Sequence, residues 1–261
     1  MTSILEPILR ECGDMLRRMP PEARAEGRWE GSQFKAAADV LAHDFLTAEL
    51  GSALSLPIVS EEDEKNLHEQ FVDYVVIDPI DGTASFANGF NGWVTQAAVI
   101  QNKKVVSSAI FAPDLDEFYS AEKDQGCTFN GKVAPVPGSV GLESIIDNYP
   151  EPRGMTREIF SLLGLSQYIE CGSIALKICR VATGEADLFI KNMWPRDWDL
   201  AAPLLVAQET GIYLRDWYGE KYDLGKPGRR HAGVIAVNNE TSLARVRQAI
   251  IVSNLAMLES S

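Results

Sequence analysis

The 261-residue sequence predicts a layered, mixed α/β (α+β) architecture, and three features predict it. Helical periodicities open and close the chain, and short strands bounded by turn signals fill the stretch after residue 57. Helices and strands also come in blocks, which argues against strict β-α-β alternation. No internal repeat, low-complexity tract or Gly/Ser linker marks a boundary, so residues 1 to 261 are read as one domain.

Residues 2 to 18 place Ile4, Leu5, Ile8, Leu9, Cys12, Met15 and Leu16 at helical spacing, and Pro20-Pro21 ends the run. Residues 22 to 34 are polar and lack a period. A second helix begins near Ala36, carries Val40, Leu41, Phe45, Leu46 and Leu50 on its apolar side, and is expected to stop at Gly51. Strands follow at Pro57 to Ser60, Tyr74 to Ile77, Trp93 to Ile100 and Lys104 to Phe111, the last two joined through Gln101-Asn102-Lys103 as a hairpin. Asn130-Gly131 is a further turn signal. Ser173 to Thr183 reads as a helix closed by Gly184, and another helix runs from near Asp199 to just before Gly211. Strands return at Ile212 to Asp216 and Ala232 to Val237, before a terminal helix from about Ser242.

Composition removes several classes of function. With 46% hydrophobic residues, 20 Gly and 13 Pro, the chain is neither disordered nor collagen-like. Its 24 Lys and Arg against 37 Asp and Glu give a net charge of −13, a field that repels a nucleic-acid polymer. No apolar stretch approaches the roughly 20 residues of a membrane helix. Glu6, Arg10, Glu11 and Asp14 interrupt the N-terminal apolar residues, so no secretory core is present and a cytoplasmic protein is expected. Cys12, Cys127, Cys171 and Cys179 form no C-x-x-C pair, which points to reduced, buried thiols. A small anionic substrate stays compatible with the charge, because carboxylates that gather divalent cations reverse their local sign.

The chemistry is densest at Val75-Val76-Ile77-Asp78-Pro79-Ile80-Asp81-Gly82-Thr83. A hydrophobic strand leads into two aspartates three residues apart; Pro79 restricts the backbone between them and Gly82 permits close backbone approach. Mg²⁺ takes oxygen ligands in near-octahedral geometry, and two carboxylates with the Ile80 carbonyl could supply several. By itself the motif is equally a strand that ends in a polar turn. Ile58-Val59-Ser60 ends in the acidic run Glu61-Glu62-Asp63-Glu64, which is either solvated surface or a carboxylate beside the start of the aspartate motif. Arg196-Asp197-Trp198-Asp199-Leu200-Ala201-Ala202 opens a helix, where an aspartate alone is explained by capping.

Together, Glu61-Glu62, Asp78-Pro79-Ile80-Asp81-Gly82-Thr83 and Trp198-Asp199-x-Ala201-Ala202 followed by Gly211 resemble the inositol monophosphatase superfamily of Mg²⁺-dependent, lithium-sensitive phosphatases. Gly126-x-x-x-Asn130-Gly131 and the stretch from Gly172-Ser173 to Leu188 support the resemblance, which covers most of residues 36 to 237. It implies an α-β-α-β-α sandwich of two packed halves, one to about residue 140 and one from 141 that supplies Asp199. It also implies two to three Mg²⁺ ions. Glu61, Asp78 and the Ile80 carbonyl would hold the first, and Asp78, Asp81 and Asp199 the second, with Asp78 bridging. Glu61 and the Thr83 hydroxyl would orient the attacking water, and the Gly82 and Thr83 N–H groups would receive the phosphate. Asp39 would stand near the metals or merely cap its helix, and Lys35 with the polar segment before it would form a lid. Asp197 is expected to pair with Arg196 or cap, and His43, His68 and His231 to lie in packing or surface positions.

Substrate choice turns on departures from the family. Where inositol monophosphatases carry a glutamate before the Trp-Asp pair, this chain has Lys191-Asn192, and a cation suits an additional phosphate better than a sugar hydroxyl. The segment Gly172 to Cys179, with Ser173 and Lys177, and Ala112-Pro113 resemble bacterial 3'(2'),5'-bisphosphate nucleotidases. Gly82, Thr83, Ser173, Lys177, Lys191 and Asp199 are therefore the candidate substrate contacts, with 3'-phosphoadenosine 5'-phosphate as the leading substrate. Inositol phosphate is the alternative, followed by histidinol phosphate and fructose 1,6-bisphosphate. A metal or metabolite sensor on the same fold is the non-enzymatic alternative. Many relatives are homodimers, which makes a dimer the expected assembly. Pro203, inside the helix that carries Asp199, is expected to bend it.

Overall fold

The computed structural model describes residues 1–30, 33–66, 69, 71–138, 141–224 and 226–259. In chain order, helices α1 (Thr2–Arg17) and α2 (Pro21–Arg24) lead to a two-stranded ribbon of β1 (Gly27–Glu30) and β2 (Gln33–Ala36), then to α3 (Ala37–Leu54). Strands β3 (Ile58–Ser60) and β4 (Asp73–Asp81) precede the short helix α4 (Thr83–Ala87). A run of strands follows: β5 (Val94–Gln101), β6 (Lys104–Ala112), β7 (Glu117–Glu122), β8 (Gly126–Phe129) and β9 (Lys132–Val133). The rest of the chain comprises β10 (Ser144–Asp147), α5 (Gly154–Leu163), β11 (Gln167–Glu170), α6 (Ile174–Ala182), β12 (Leu188–Lys191), α7 (Asp197–Thr210), β13 (Tyr213–Arg215), β14 (Val234–Val237) and α8 (Glu240–Glu259).

Strands β3 to β9 form one seven-stranded sheet in sequence order, parallel only between β3 and β4. The second sheet has five strands in the order β11-β10-β12-β14-β13. Alternation along β4 explains the layering. Val75 and Ile77 face one side, where they meet Leu5, Leu9 and Leu16 of α1 and Ala42 and Leu46 of α3. Tyr74 and Val76 face the other side, toward Ala175 and Ile178 of α6 and Leu200 and Ala201 of α7. Phe189 and Ala236 of the second sheet close that middle core, and its opposite face packs Leu188, Ile190 and Val237 against Ile159 of α5 and Val246 of α8. The order is α-β-α-β-α, as the family resemblance implied.

The hairpin at residues 101 to 104 forms as read: Gln101 pairs with Lys104, and Asn102 and Lys103 both take left-handed φ angles of 49° and 63°. Asn130 and Gly131 repeat that turn between β8 and β9 at 48° and 72°. Two helix boundaries differ from the sequence reading. Gly51 lies inside α3, which continues to Leu54 and ends at left-handed Ser55, because Leu50 keeps the buried stripe going. Helix α7 starts at Asp197, two residues early, and runs unbroken through Pro203. Strands β7 to β12 and helix α5 lie outside the elements that the sequence pattern predicts; most are four residues or fewer, too short to show a period.

All four cysteines are free and buried, and burial pushes the Cys12 thiol up to about 12. Among the described residues no helix is long and apolar enough to cross a membrane. The ribbon β1–β2 occupies the segment read as a lid, whose residues 31 and 32 and the Lys35 side chain lie outside the described residues, as does His68.

Candidate active site

Four carboxylates reach one cavity because of where their strands and helix end. In the parallel pair, Ser60 stands opposite Ile77, so Glu61, just past the end of β3, follows beside Asp78, which still pairs with Gln96 of β5. The ladder to β5 is irregular between Asp78 and Asp81, where Pro79 has no N–H to offer. Asp81 thereby reaches the start of α6: Oδ2 accepts from Ser173 Oγ at 2.6 Å and Ala175 N at 2.8 Å, and Oδ1 from Ile174 N at 3.2 Å. A carboxylate at a helix start is held by free N–H groups and the helix dipole. Asp199 comes from the first turn of α7, its Oδ2 accepting from Arg196 N at 2.6 Å.

One carboxylate oxygen from each of Asp78, Asp81 and Asp199 lies within 4.8 Å of the others. Their cavity, about 310 Å³, is also lined by Glu61, Ile80, Gly82, Thr83, Asn148, Phe189, Lys191 and Met193, which places walls from both sheets around it. Gly82 sits at φ 92°, a left-handed turn that a side chain would strain, and leads directly into α4. Thr83 Oγ1 donates to the Ile80 carbonyl at 3.0 Å.

By themselves the clustered carboxylates repel one another. Asp78 is buried, and among the described residues neither of its oxygens has a hydrogen-bond partner. Burial pushes its carboxyl well above the usual range, and Glu61, Asp81, Asp199 and Asp39 push it further. Asp199 is raised in the same way, by burial first and then by Glu61 and Asp81. Burial also raises Asp81, although the bonds from Ser173 and the start of α6 oppose it. Buried carboxylates facing one another, one of them orphaned, are the donor set a hard divalent cation neutralises, so the residues fit Mg²⁺.

A pH dependence follows from the direction of these shifts. Without a cation the folded chain holds protons on these carboxyls that the unfolded chain releases, so stability is full below the ordinary carboxylate range and falls as pH rises through the raised values. Mg²⁺ removes that penalty. Thermal scans are expected to show a larger Mg²⁺-induced rise in Tm at about pH 8 than at about pH 5; an equal rise at both would contradict the cluster's charge.

Of the residues named from the sequence, Glu61, Asp78, Ile80, Asp81, Gly82, Thr83, Lys191 and Asp199 line the cavity. Ser173 and Lys177 stand behind its wall instead. Ser173 caps α6, accepting from Leu176 N at 3.0 Å, while it holds Asp81. Lys177 is fully buried, bonded to Asn148 Oδ1 and the Gly172 carbonyl, with burial lowering its pKa. They support the residues that the cavity exposes. Asp39 caps α3 through Ala36 N at 2.8 Å and adds to the charge at Asp78, so both readings of it apply. Asn148, Phe189 and Met193 were not anticipated; Asn148 follows the unread strand β10, and Phe189 and Met193 flank the Lys191 already singled out.

Asp197 departs from expectation, while His231 takes a buried packing position against Tyr222. Asp197 pairs with neither Arg196 nor the helix N–H groups: Oδ1 bonds to His231 Nε2 at 2.7 Å and Oδ2 accepts from Arg229 N at 3.2 Å, all in a buried setting. His231 N donates to the Pro195 carbonyl at 2.8 Å. The late segment 228–231 thus clamps the start of the helix that carries Asp199. His43 bonds Ser60 Oγ through Nδ1 at 2.8 Å.

Comparison with known proteins agrees with this geometry. The profile of the inositol monophosphatase family matches residues 1–251. The chain is 28% identical over 194 residues to the 3'(2'),5'-bisphosphate nucleotidase CysQ of Escherichia coli K12, covering 72% of this chain and 78% of that protein. It is likewise 28% identical over 210 residues to a fructose-1,6-bisphosphatase of Pyrococcus furiosus, covering 80% of each. Among solved structures, Thermotoga maritima IMPase superposes with a TM-score of 0.78 at 22% identity, covering 95% of this chain and 96% of that one.

Proposed function

The chain belongs to the inositol monophosphatase family of metal-dependent phosphatases, and from that premise we propose that it releases phosphate from a small bisphosphorylated metabolite, with 3'-phosphoadenosine 5'-phosphate as the leading substrate. The convergence of Asp78, Asp81 and Asp199 within 4.8 Å, with Asp78 orphaned, carries the reading. Glu61, Asp78 and the Ile80 carbonyl would hold one Mg²⁺, and Asp78, Asp81 and Asp199 would hold a second. Bound Mg²⁺ supplies charge neutralisation and Lewis-acid polarisation of the phosphate oxygens. Gly82 and Thr83 receive the phosphate on their backbone N–H groups, as strand-to-helix turns do. Glu61 and the Thr83 hydroxyl orient the attacking water, and the fixed carboxylates hold its line of approach; positioning and charge carry most of such a reaction.

Lys191 on the cavity wall favours a substrate with a second anionic group, and relatives that act on a 3'(2'),5'-bisphosphate and on fructose 1,6-bisphosphate are consistent with that class. The test is phosphate release by purified protein from 3'-phosphoadenosine 5'-phosphate, fructose 1,6-bisphosphate, inositol 1-phosphate and histidinol phosphate, each with Mg²⁺ and with excess chelator. Turnover of a bisphosphate with Mg²⁺ and none with chelator is expected. Ligand binding without turnover of any compound would instead make the protein a sensor and reject the enzymatic assignment.

A further inference from the structure

A second cavity, about 140 Å³, adjoins the first and shares Lys191 with it. Tyr149, Arg153, Met155, Thr156 and Trp217 form most of its wall. Two cations converge there on one aromatic ring: the Arg153 guanidinium lies 4.8 Å and the Lys191 ammonium 5.5 Å from the centre of Tyr149. Two like charges brought over one ring repel each other unless something anionic answers them.

The two cations are answered differently. Lys191 Nζ donates to Asp147 Oδ1 at 2.6 Å, and Asp147 also accepts from Thr156 Oγ1 at 2.7 Å. Burial alone would raise the Asp147 carboxyl, but the bond and charge of Lys191 outweigh it and hold it below the usual range. That carboxylate is spent on Lys191. Arg153 has, among the described residues, one ion pair only, to Glu151 at 3.9 Å, with both side chains more than half exposed at 56% and 62%. A pair that long and that wet contributes little. The planar guanidinium is therefore set in place by the Tyr149 ring while its donors remain available to a ligand, the condition under which arginine recognises phosphate with two parallel bonds. The first turn of α5, whose N-cap has no side-chain acceptor, borders the same space through Met155 and Thr156.

We propose that the cavity bounded by Tyr149, Arg153 and Lys191 is a second anion subsite, which takes the non-scissile phosphate of a bisphosphorylated substrate whose scissile phosphate lies at Gly82–Thr83. The proposal rests on the phosphatase reading above and adds the residue that sets its selectivity. Arg153 binds the spectator phosphate, Lys191 stands between the two phosphates, and Tyr149 holds the guanidinium in register. A substrate with one phosphate leaves Arg153 unanswered, so the subsite separates bisphosphates from monophosphates by binding rather than by chemistry.

The experiment compares substrates that differ by that one phosphate: 3'-phosphoadenosine 5'-phosphate with adenosine 3'-phosphate, and fructose 1,6-bisphosphate with fructose 1-phosphate. The readout is the ratio of kcat/KM for bisphosphate over monophosphate in wild type, Arg153→Ala and Arg153→Lys, with melting temperature as the folding control. Wild type is expected to favour the bisphosphate in at least one pair. Arg153→Ala is expected to lower that ratio at least about tenfold through KM, and Arg153→Lys to restore part of it. A ratio unchanged by Arg153→Ala, or a wild type that favours neither bisphosphate, overturns the subsite while the phosphatase reading stands. Absence of phosphate release from all four compounds in wild type overturns both.

Discussion

An Asp78→Asn protein is expected to lose at least about a hundredfold in kcat/KM toward its best substrate while becoming more stable than wild type in the absence of divalent cations. The loss follows from position. Asp78 is the residue on which the charges of Glu61, Asp81, Asp199 and Asp39 all act, and both its oxygens are buried without a hydrogen-bond partner among the described residues. An amide keeps the shape but removes the charge through which two cations would be shared, and several kcal/mol of charge stabilisation correspond to two or more powers of ten in rate. The gain in stability has the opposite origin: a buried carboxylate surrounded by like charges costs energy in the folded state, and neutralising it removes that cost. Activity assays paired with chelator-treated melting curves check both halves. Retained hydrolysis, or a variant less stable than metal-free wild type, would remove Asp78 from the centre of the site.

A His231→Ala protein is expected to lose about 3 kcal/mol of unfolding free energy and to need a higher Mg²⁺ concentration for half-maximal response. Asp197 is fully buried, and among the described residues His231 supplies the only side-chain bond to it, at 2.7 Å, beside one backbone bond from Arg229. Removing the ring leaves a buried carboxylate half answered, which costs more than the bond itself was worth. The same residue ties the late loop to Pro195, and Arg196 Nη1 reaches the Gly228 carbonyl at 3.2 Å, so the clamp sets the first turn of α7 from which Asp199 projects. Denaturant unfolding measures the first effect and Mg²⁺-dependent thermal shift the second. His231→Asn, which can still donate to Asp197, is expected to recover part of both. If stability falls and Mg²⁺ response is unaltered, the clamp serves the core alone and not the position of Asp199.

Three local stretches made the candidate site legible in advance. Glu61, the Asp78–Thr83 run and Asp199 each follow an apolar strand or open an apolar helix, and their residue types and order carry the family resemblance; the cavity lining contains all of them but Pro79. The hairpin at Asn102-Lys103 was legible for a similar reason, since its backbone demands are met by the residues in the turn itself. The residues that support the site were less legible. Ser173 and Lys177 read as contacts to substrate, but they lie behind the wall, and nothing in their local sequence says which side of a buried helix faces the ligand. Helix α7 is buried from Leu200 to Ala207, so its pattern has no polar side to orient it. In the second sheet β13 and β14 fall inside the strands read at Ile212 to Asp216 and Ala232 to Val237, whereas β10, β11 and β12, four residues each, carry too few alternations to be counted.

What the sequence determined by itself is the set of carboxylates and the turns that present them, because coordination chemistry and left-handed backbone both depend on residue type at a given position. Tertiary structure alone decided which groups meet: the pairing of Asp197 with His231 across 34 positions, the capture of Asp81 by the start of α6 across 92, and the junction of two cavities at Lys191. Such contacts depend on how two sheets stack about shared helices. That stacking is fixed by the summed burial of many apolar side chains, none of which names its partner.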